Sequence, residues 1–339
     1  MERALVIGAS GNFGQAVARQ MVERGWEVRA LRRSAGRAVT LKGIREVEGD
    51  AFDAEAVQRA ARGVDVIVHA YNAPYTRWHD QLLPPARHVA RAAIENGATI
   101  VLPGNVYGLG SDFSRPLGSD FSRPLAEGAS RDAPTAKGRL RNQLEAELEA
   151  ATERGARLLN VRCGDYLGPG ADNTWFRHMT QKALKGGALV DPGTDGVLHE
   201  WAYLPDVANA TVDLLARRAE LGPSETFHFS SYQLTSRQLL EVVNRALPAP
   251  RPIRRMPWRL MRWLSPFAPM LRELCEMRYL WEQPVLLDDR KLRTFLGAVP
   301  RTPIDEAVST SLGRAPLPAV IPADRRPSGG AVGRASASK

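Results

Sequence analysis

The residues near the start of the chain have the types and spacing of a phosphate-binding turn. Gly8, Gly11 and Gly14 follow the apolar run Ala4–Ile7 and precede a segment in which apolar residues recur at helical spacing. Glycines let a backbone turn tightly and approach a ligand closely, and the free N–H groups of a helix N-terminus attract anionic oxygens. We therefore predict a diphosphate site in this segment. Its predicted contacts are Gly8, Ser10, Gly11, Asn12, Phe13 and Gly14.

Two arginines directly follow the second predicted strand, Glu27–Leu31. An NAD site usually has an acidic residue there for the ribose 2′-hydroxyl, whereas Arg32 and Arg33 can bind a 2′-phosphate through paired hydrogen bonds. This pair favours NADP, with NAD as the alternative cofactor and two solvated surface arginines as the competing interpretation. Asp50, after the third predicted strand, is placed to accept a hydrogen bond from the adenine amino group.

The elements that position these residues alternate between strand and helix patterns. Such alternation predicts an α/β fold of the Rossmann type, a doubly wound parallel sheet with a smaller C-terminal substrate lobe. In the C-terminal part, Asp206 is interpreted as the N-cap of a helix over Val207–Arg217. After the first two strands, the predicted elements of the sheet are strands Ile44–Glu48, Val64–Ala70, Thr99–Leu102 and Arg157–Cys163, with helices Ala54–Ala61 and Leu83–Glu95 between them.

Several motifs in a characteristic order make the chain similar to the extended short-chain dehydrogenase/reductase superfamily, and within it to the NAD-dependent epimerase/dehydratase family. The resemblance implies that Ala51, Ala70, Tyr71 and Asn72 also contact the cofactor. It covers about residues 1–312. The motifs are GASGNFG at 8–14, GD at 49–50, HAYNAP at 69–74, NVYG at 105–108, KGRLRNQLE at 137–145, RCGDYLGPG at 162–170 and HEWAYLPDVANA at 199–210.

The catalytic positions depart from the family pattern. The family places a Ser or Thr before the VYG element and a Tyr-x-x-x-Lys motif on the next helix, and alignment puts Pro103, Lys137 and Arg141 at these three positions. The resemblance implies that Arg141 still holds the ribose hydroxyls of the cofactor. Cofactor binding is therefore expected to survive, while the standard proton relay is expected to be weak or replaced.

The candidate catalytic residues are consequently non-standard. Lys137 is a candidate proton donor, because a lysine normally carries a proton at neutral pH; the competing interpretation is a solvated lysine at the start of a helix. Asn105 and Tyr107 are the other polar candidates near the nicotinamide, although Tyr107 also suits a packing role. His199 is either a further donor or a structural histidine, and the structural role is favoured.

The chain divides into three predicted parts. Residues 1–165 form the dinucleotide-binding Rossmann domain, with an inserted loop over 110–136 in which the octamer GSDFSRPL occurs twice in tandem. Residues 166–313 form the substrate lobe, with some segments returning to the Rossmann sheet. The tail, 314–339, is rich in Pro, Ala, Gly, Ser and Arg without periodicity, which predicts disorder.

Composition narrows the remaining choices. The 339 residues carry a net charge of +9, but the arginines are scattered and no nucleic-acid-binding module is apparent. Two distant cysteines form no metal motif and favour a reducing, cytoplasmic setting. No run is long enough to span a membrane. The Trp-, Met- and Arg-rich segment Met256–Trp281 suits an interfacial membrane helix, but Pro266 and Pro269 interrupt it, which favours a helical lid or core.

The leading functional hypothesis is an oxidoreductase or epimerase-like enzyme that reduces a small carbonyl compound with NADPH in a non-standard active site. Epimerisation is less favoured, because it needs a base as well as an acid and no base is evident in the sequence. The alternative is a regulatory protein that binds NADPH as a sensor without turnover. The expected partner is a small-molecule substrate, and a homodimer is allowed for.

Overall fold

The structure is a computed structural model that describes residues 1–34, 41–110 and 124–314. The strands are β1 Arg3–Ile7, β2 Glu27–Arg32, β3 Ile44–Glu48, β4 Val66–His69, β5 Thr99–Asn105, β6 Arg157–Cys163, β7 Asp165–Leu167, β8 Leu189–Asp191, β9 Leu198–Tyr203, β10 Ser224–Phe229, β11 Tyr232–Thr235 and β12 Ile253–Arg255. The helices are α1 Asn12–Glu23, α2 Ala54–Ala61, α3 Trp78–Gln81, α4 Leu83–Asn96, α5 Ala136–Thr152, α6 Trp175–Thr180, α7 Leu204–Ala216, α8 Ser236–Ala246, α9 Trp258–Leu264, α10 Pro269–Glu276, α11 Arg290–Leu296 and α12 Ile304–Ser311.

Within these ranges, seven strands form one parallel sheet in the order β3-β2-β1-β4-β5-β6-β10. The order reverses between β1 and β4, which is where doubly wound sheets bind their ligands. This architecture confirms the predicted α/β Rossmann-type fold. The last strand of the sheet, β10, comes from the C-terminal half of the chain, so that half is anchored directly to β6.

Both faces of the sheet are covered by helices, as a parallel sheet requires. Helices α1 and α7 pack together on one face, and α2, α4 and α5 cover the other. A buried ion pair fastens α5 to the sheet, because the Arg162 guanidinium donates to the Glu145 carboxylate at 2.5 Å and both side chains are about 1% exposed. Helix α5 carries Lys137 and Arg141, so this pair also positions two of the candidate site residues.

The C-terminal half adds smaller sheets and a helical hairpin. Strand β9 pairs with β7 and β11, and β8 pairs with β12. Helices α9 and α10 contact each other, and α10 also packs on the 3₁₀ turn Tyr75–Arg77. Among the described helices, none is both long and apolar enough to cross a bilayer.

Some local expectations need correction. Helix α7 begins at Leu204 rather than Val207, with Tyr203 as its N-cap, so Asp206 lies inside the first turn. The Asp206 carboxylate instead accepts hydrogen bonds from the backbone N–H of Thr302 at 2.7 Å and from its hydroxyl at 2.9 Å. Asp206 therefore bonds to a distant segment instead of capping the helix. The helix begins earlier than predicted because Pro205 suits the first turn of a helix.

Two sequence predictions fall largely outside the described residues. The tandem octamer occupies residues 110–125, of which the structure describes only 110, 124 and 125. The tail predicted over 314–339 is described only at Arg314.

His69 ends β4 in complete burial, and neither of its ring nitrogens has a hydrogen-bond partner among the described residues. Burial, and then the charge of Arg141, lowers the His69 pKa from 6.5 to about 3. An unfolded histidine takes up a proton at a higher pH than this buried one. Between these two pKa values the unfolded chain binds more protons, so the free energy of unfolding falls as the pH drops through that window.

We predict that His69→Leu makes the protein less sensitive to acid. Between the unfolded pKa of 6.5 and about pH 5, the native protein should lose roughly 1–2 kcal/mol more of its unfolding free energy than the variant. Urea unfolding at the two pH values measures this difference. His79→Leu, which replaces an exposed imidazole, should keep the native pH dependence, and equal pH slopes for His69→Leu and the native protein would contradict the assignment.

Candidate functional site

A cavity of about 770 Å³ lies at the carboxyl ends of β1, β2, β4 and β5 and extends to α10. Its volume is within the range of small-molecule and cofactor sites. The residues at its two ends differ in character. Arg32, Arg33 and Asp50 line one end, and Tyr107 and Arg141 line the other. The β1–α1 turn lies between them.

The β1–α1 turn has the close backbone approach that a diphosphate site requires. Gly8 adopts a φ of 89°, and a Cβ on it would lie 2.6 Å from the carbonyl carbon of Ala70. A Cβ on Gly14 would lie 2.4 Å from the Gly8 carbonyl oxygen. Helix α1 begins directly after its N-cap, Gly11, which has no side chain that could satisfy the first N–H groups. Those groups are therefore available to an anionic ligand, and the residues present fit a dinucleotide.

The two arginines after β2 are engaged differently. Arg32 donates from Nε to the Glu46 carboxylate at 2.8 Å, and its Nη1 donates to the carbonyls of Arg33 and Ser34. Arg33 lines the cavity, and no ion pair joins it to another described residue. Of the two guanidiniums, that of Arg33 is the more available to a ligand.

The predicted adenine contacts line the same end of the cavity. Asp50 Oδ1 accepts a hydrogen bond from the backbone N–H of Phe52 at 3.0 Å, which orients the carboxylate. Tyr71 packs edge-on against Phe52, with ring centroids 5.6 Å apart. The further cofactor contacts implied by the resemblance, namely Ala51, Ala70 and Asn72, also line the cavity.

At the opposite end of the cavity, the side chains of Arg141 and Asn105 form hydrogen bonds with backbone groups and not with each other. Arg141 Nη2 donates to the carbonyl of Pro103 at 2.6 Å, and Asn105 Oδ1 accepts from the Tyr107 N–H at 3.1 Å. All four residues line the cavity. Pro103 has no side-chain hydroxyl, but its carbonyl oxygen fixes the Arg141 guanidinium at the wall of the cavity.

Tyr107 belongs to a pair that the sequence did not reveal. Its hydroxyl lies 2.7 Å from the hydroxyl of Tyr75, and both residues line the cavity. Burial raises the pKa of both phenols above the ordinary value for tyrosine. Both are therefore neutral near pH 7, and each still carries a proton. Tyr75 follows the HAYNAP motif along the chain, which is the only sequence signal that pointed to it.

Lys137 is placed differently from the sequence expectation. It is buried, and among the described residues its ammonium group pairs with Glu276 at 2.5 Å and with Glu273, both on α10. The same group lies 5.4 Å from the ring centroid of Tyr75. Lys137 does not line the cavity within the described part of the chain. Its observed contacts fasten α10 to α5, because a buried cation requires paired anions.

His199 is held by two hydrogen bonds and a ring stack. Its Nε2 lies 2.7 Å from the Asp165 carboxylate, its Nδ1 lies 3.2 Å from the carbonyl of Leu280, and its ring stacks on Trp281 with centroids 3.9 Å apart. Asp165 lines the cavity and His199 does not. His199 therefore orients Asp165, a residue that sequence reasoning missed because its partner is 34 positions away.

Comparisons with known proteins agree with this geometry. Residues 8–147 match the NAD(P)H-binding family. The 2-alkyl-3-oxoalkanoate reductase of Stenotrophomonas maltophilia (strain K279a) is 26% identical over 259 residues, which cover 74% of this chain and 77% of the relative.

Solved structures with the same fold include several epimerases. WbmH from Bordetella bronchiseptica, solved in complex with NAD⁺, superposes with a TM-score of 0.70 at 20% identity and covers 92% of this chain and 98% of its own. A nucleoside-diphosphate-sugar epimerase from Pseudomonas aeruginosa gives a TM-score of 0.71 at 17% identity, with 92% and 96% covered. UDP-glucose 4-epimerase from Bifidobacterium longum, in complex with NAD⁺ and UDP, gives 0.69 at 13% identity, with 91% and 97% covered.

The sheet order and the glycine turn define a protein of the Rossmann class whose cavity fits a dinucleotide. The predicted resemblance is confirmed for the fold and for the N-terminal part of the chain: residues 8–147 match the NAD(P)H-binding family, and the chain has the fold of solved nucleotide-sugar epimerases. The chain is similar in fold to sugar epimerases and in sequence to a reductase.

We predict that Gly14→Ala weakens cofactor binding roughly tenfold or more, because the added methyl group would displace the Gly8 carbonyl from the turn that faces the diphosphate. Calorimetric titration with NADPH and with NADH measures the effect. Gly128→Ala is a matched control, since nothing lies within 4 Å of a Cβ at Gly128. Unchanged affinity in a folded Gly14→Ala protein would place the diphosphate elsewhere.

Proposed function

We propose that the protein reduces a carbonyl compound with apolar substituents, using NADPH. The observation that carries this proposal is the partly buried Tyr75–Tyr107 hydroxyl pair at the end of the cavity opposite Arg33 and Asp50. The sequence similarity to a 2-alkyl-3-oxoalkanoate reductase supports the reaction type. When bound, a nicotinamide cofactor supplies the hydride for such a reduction.

The different residues at the two ends of the cavity indicate the orientation in which the cofactor would bind. Basic residues after β2 and an acidic residue after β3 suit the adenosine half, and the β1–α1 turn suits the diphosphate. The nicotinamide half then extends toward Asn105, Tyr107 and Arg141. In this orientation Arg141, fixed by the Pro103 carbonyl, can donate to ribose hydroxyls.

The tyrosine pair can provide the proton that a reduction requires. In a hydrogen bond between two neutral phenols, one hydroxyl donates and the other keeps its own hydrogen for a third group. If Tyr75 donates to Tyr107, the Tyr107 hydrogen is available to the substrate oxygen. As that oxygen takes the proton and becomes an alcohol, the Tyr75 proton can move to Tyr107, and the partly buried Tyr75 regains a proton from solvent to complete the cycle. The pair thus replaces the hydroxyl and phenol that the family keeps at the positions of Pro103 and Lys137.

The substrate end of the cavity favours an apolar compound. Trp78, Trp175, Met270 and Leu274 line it. A site of this kind discriminates between substrates mainly through the apolar substrate area that it buries, and it has few polar groups to orient the substrate. Substrates with alkyl chains next to the carbonyl are therefore the first to test.

The second candidate function is an NADPH sensor without turnover. Two observations favour it: Pro103 has no catalytic hydroxyl, and the described contacts of Lys137 hold α10 instead of facing the cavity. Cofactor binding with no oxidation of NADPH by any carbonyl in a broad panel would support this alternative.

NADP is the proposed cofactor because of Arg33. Arg32 is partly committed to Glu46, so its charge is balanced within the protein. Arg33 lines the cavity with no carboxylate partner among the described residues. A 2′-phosphate would give its guanidinium a bidentate anionic partner.

We predict that Arg33→Ser raises the Kd for NADPH roughly tenfold or more while the Kd for NADH changes little, because only the 2′-phosphate loses its partner. Calorimetry with both cofactors measures the change. Arg45→Ser, on the exposed side of β3, removes the same charge away from the cavity and should leave both values unchanged. Tighter binding of NADH than of NADPH by the native protein would overturn the NADP proposal.

We predict that Tyr107→Phe lowers kcat for carbonyl reduction about 10²-fold to 10⁴-fold, because it removes a general acid. Tyr75→Phe should lower kcat less, since Tyr107 keeps its own proton. NADPH oxidation with 2-alkyl-3-oxoalkanoates of increasing chain length measures the rates, and the Kd for NADPH should stay near the native value in both variants.

Tyr203→Phe is the matched control. It also removes a hydroxyl, one that lies 2.9 Å from Thr310 Oγ1 outside the cavity, and it should keep the native rate. A native rate in Tyr107→Phe would mean that another group donates the proton. Absence of turnover in the native protein would favour the sensor.

A further inference from the structure

The large apolar side chains that remain exposed are concentrated on one part of the molecule. Leu260, Trp263, Phe267 and Met270 are 53%, 71%, 84% and 47% exposed, and all four lie on or between α9 and α10. Elsewhere in the described chain, the large apolar residues with comparable exposure are single and scattered: Met1, Phe52 and Leu184. Single exposed apolar residues are ordinary, whereas a contiguous group marks an interaction surface.

The helices that carry this group are attached by one side only. No residue of α9 or α10 is fully buried. Their inner sides contact the 3₁₀ turns Tyr75–Arg77 and Met277–Trp281 and, through Glu273 and Glu276, the buried Lys137. Within the described residues nothing covers the outer side. We call the outer side, formed by Leu260, Trp263, Phe267 and Met270, the α9–α10 surface.

Arginines predominate in the chain that carries the α9–α10 surface, and the two glutamates of α10, Glu273 and Glu276, pair inward with Lys137. From Arg254 to Arg272 the chain contains five arginines and no aspartate or glutamate. Arg255 is paired with Asp195, but no ion pair joins Arg259 or Arg262 to another described residue. Large apolar side chains among unpaired arginines are typical of segments that lie in the interface of an anionic membrane.

The same charges argue against a second copy of the chain as the occupant. Two copies that met through this surface would bring arginines against arginines, and like charges across an interface oppose binding. Phosphate groups of anionic lipids instead provide the complementary charge. Acyl chains provide the apolar environment that Trp263 and Phe267 lack.

The cavity extends to this surface. Met270 belongs to the α9–α10 surface and also lines the cavity, together with Leu274 of the same helix. We propose that the α9–α10 surface binds the interface of anionic bilayers, so that the cavity opens toward the lipid. This proposal does not rest on the proposed reaction, because membrane binding is measured without turnover.

Co-sedimentation with vesicles tests the proposal. The full-length protein should bind vesicles of phosphatidylcholine mixed with phosphatidylglycerol, and it should bind phosphatidylcholine alone at least tenfold more weakly, since each arginine near the surface adds attraction to anionic lipid. The double variant Trp263→Ser/Phe267→Ser should lose most of this binding. Arg259→Gln/Arg262→Gln should weaken it about tenfold or more and reduce its dependence on salt.

Matched controls distinguish vesicle binding through the α9–α10 surface from binding through any exposed positive charge or apolar side chain. Arg19→Gln/Arg45→Gln removes the same charge from exposed positions on α1 and β3, and Leu184→Ser removes an exposed apolar side chain from another element. Both should bind like the native protein. Vesicles with brominated acyl chains should quench tryptophan fluorescence, and Trp263→Phe should remove most of the quenching while vesicle binding is kept.

Three results would overturn the proposal. One is absence of binding to anionic vesicles. A second is equal loss of binding in the control variants, which would make the interaction a general charge effect. The third is a native protein that does not bind vesicles but self-associates in sedimentation velocity, with self-association lost in Trp263→Ser/Phe267→Ser. This result would make the α9–α10 surface an interface between copies of the chain.

Discussion

The contact between the β1–α1 turn and the end of β4 is the constraint on which the rest of the site depends. A Cβ on Gly8 would overlap the Ala70 backbone, and a Cβ on Gly14 would overlap Gly8 itself. Only glycines let α1 start this close to the sheet, at the point where the strand order reverses. The helix N-terminus therefore faces the cavity, with Arg33 and Asp50 on one side of it and Tyr107 on the other.

Helix α5 connects the buried core to the substrate end. Its Glu145 is fixed to the sheet by Arg162, its Arg141 is fixed to the β5 backbone at Pro103, and its Lys137 holds α10 through two carboxylates. The three contacts fall on one side of the helix at intervals of four residues, which is the spacing of a helix face. This face of α5 is used largely for attachment.

Burial changes which groups can carry out proton chemistry. The Tyr75 and Tyr107 hydroxyls lie in a low-dielectric environment that disfavours the phenolate, so both keep their protons and can only donate them. This supports reduction better than epimerisation, which also needs a base. The attachment of α10 above the cavity has a second consequence, because it leaves the apolar and arginine side chains of α9 and α10 directed outward beside the cavity.

The fold was predictable from the sequence because it depends on local patterns, and so was the position of the glycine turn, Arg33 and Asp50 around one cavity. Strand and helix periodicity, glycine spacing and the residues that follow β2 and β3 determine the parallel sheet and this end of the cavity over short stretches of chain. The partners of Tyr107, Lys137 and Asp165 were not predictable, since they come from segments 32, 139 and 34 residues away. Side-chain pairs at such separations are decided by how the elements pack, and only the tertiary structure brings Tyr75 to Tyr107 and α10 to Lys137.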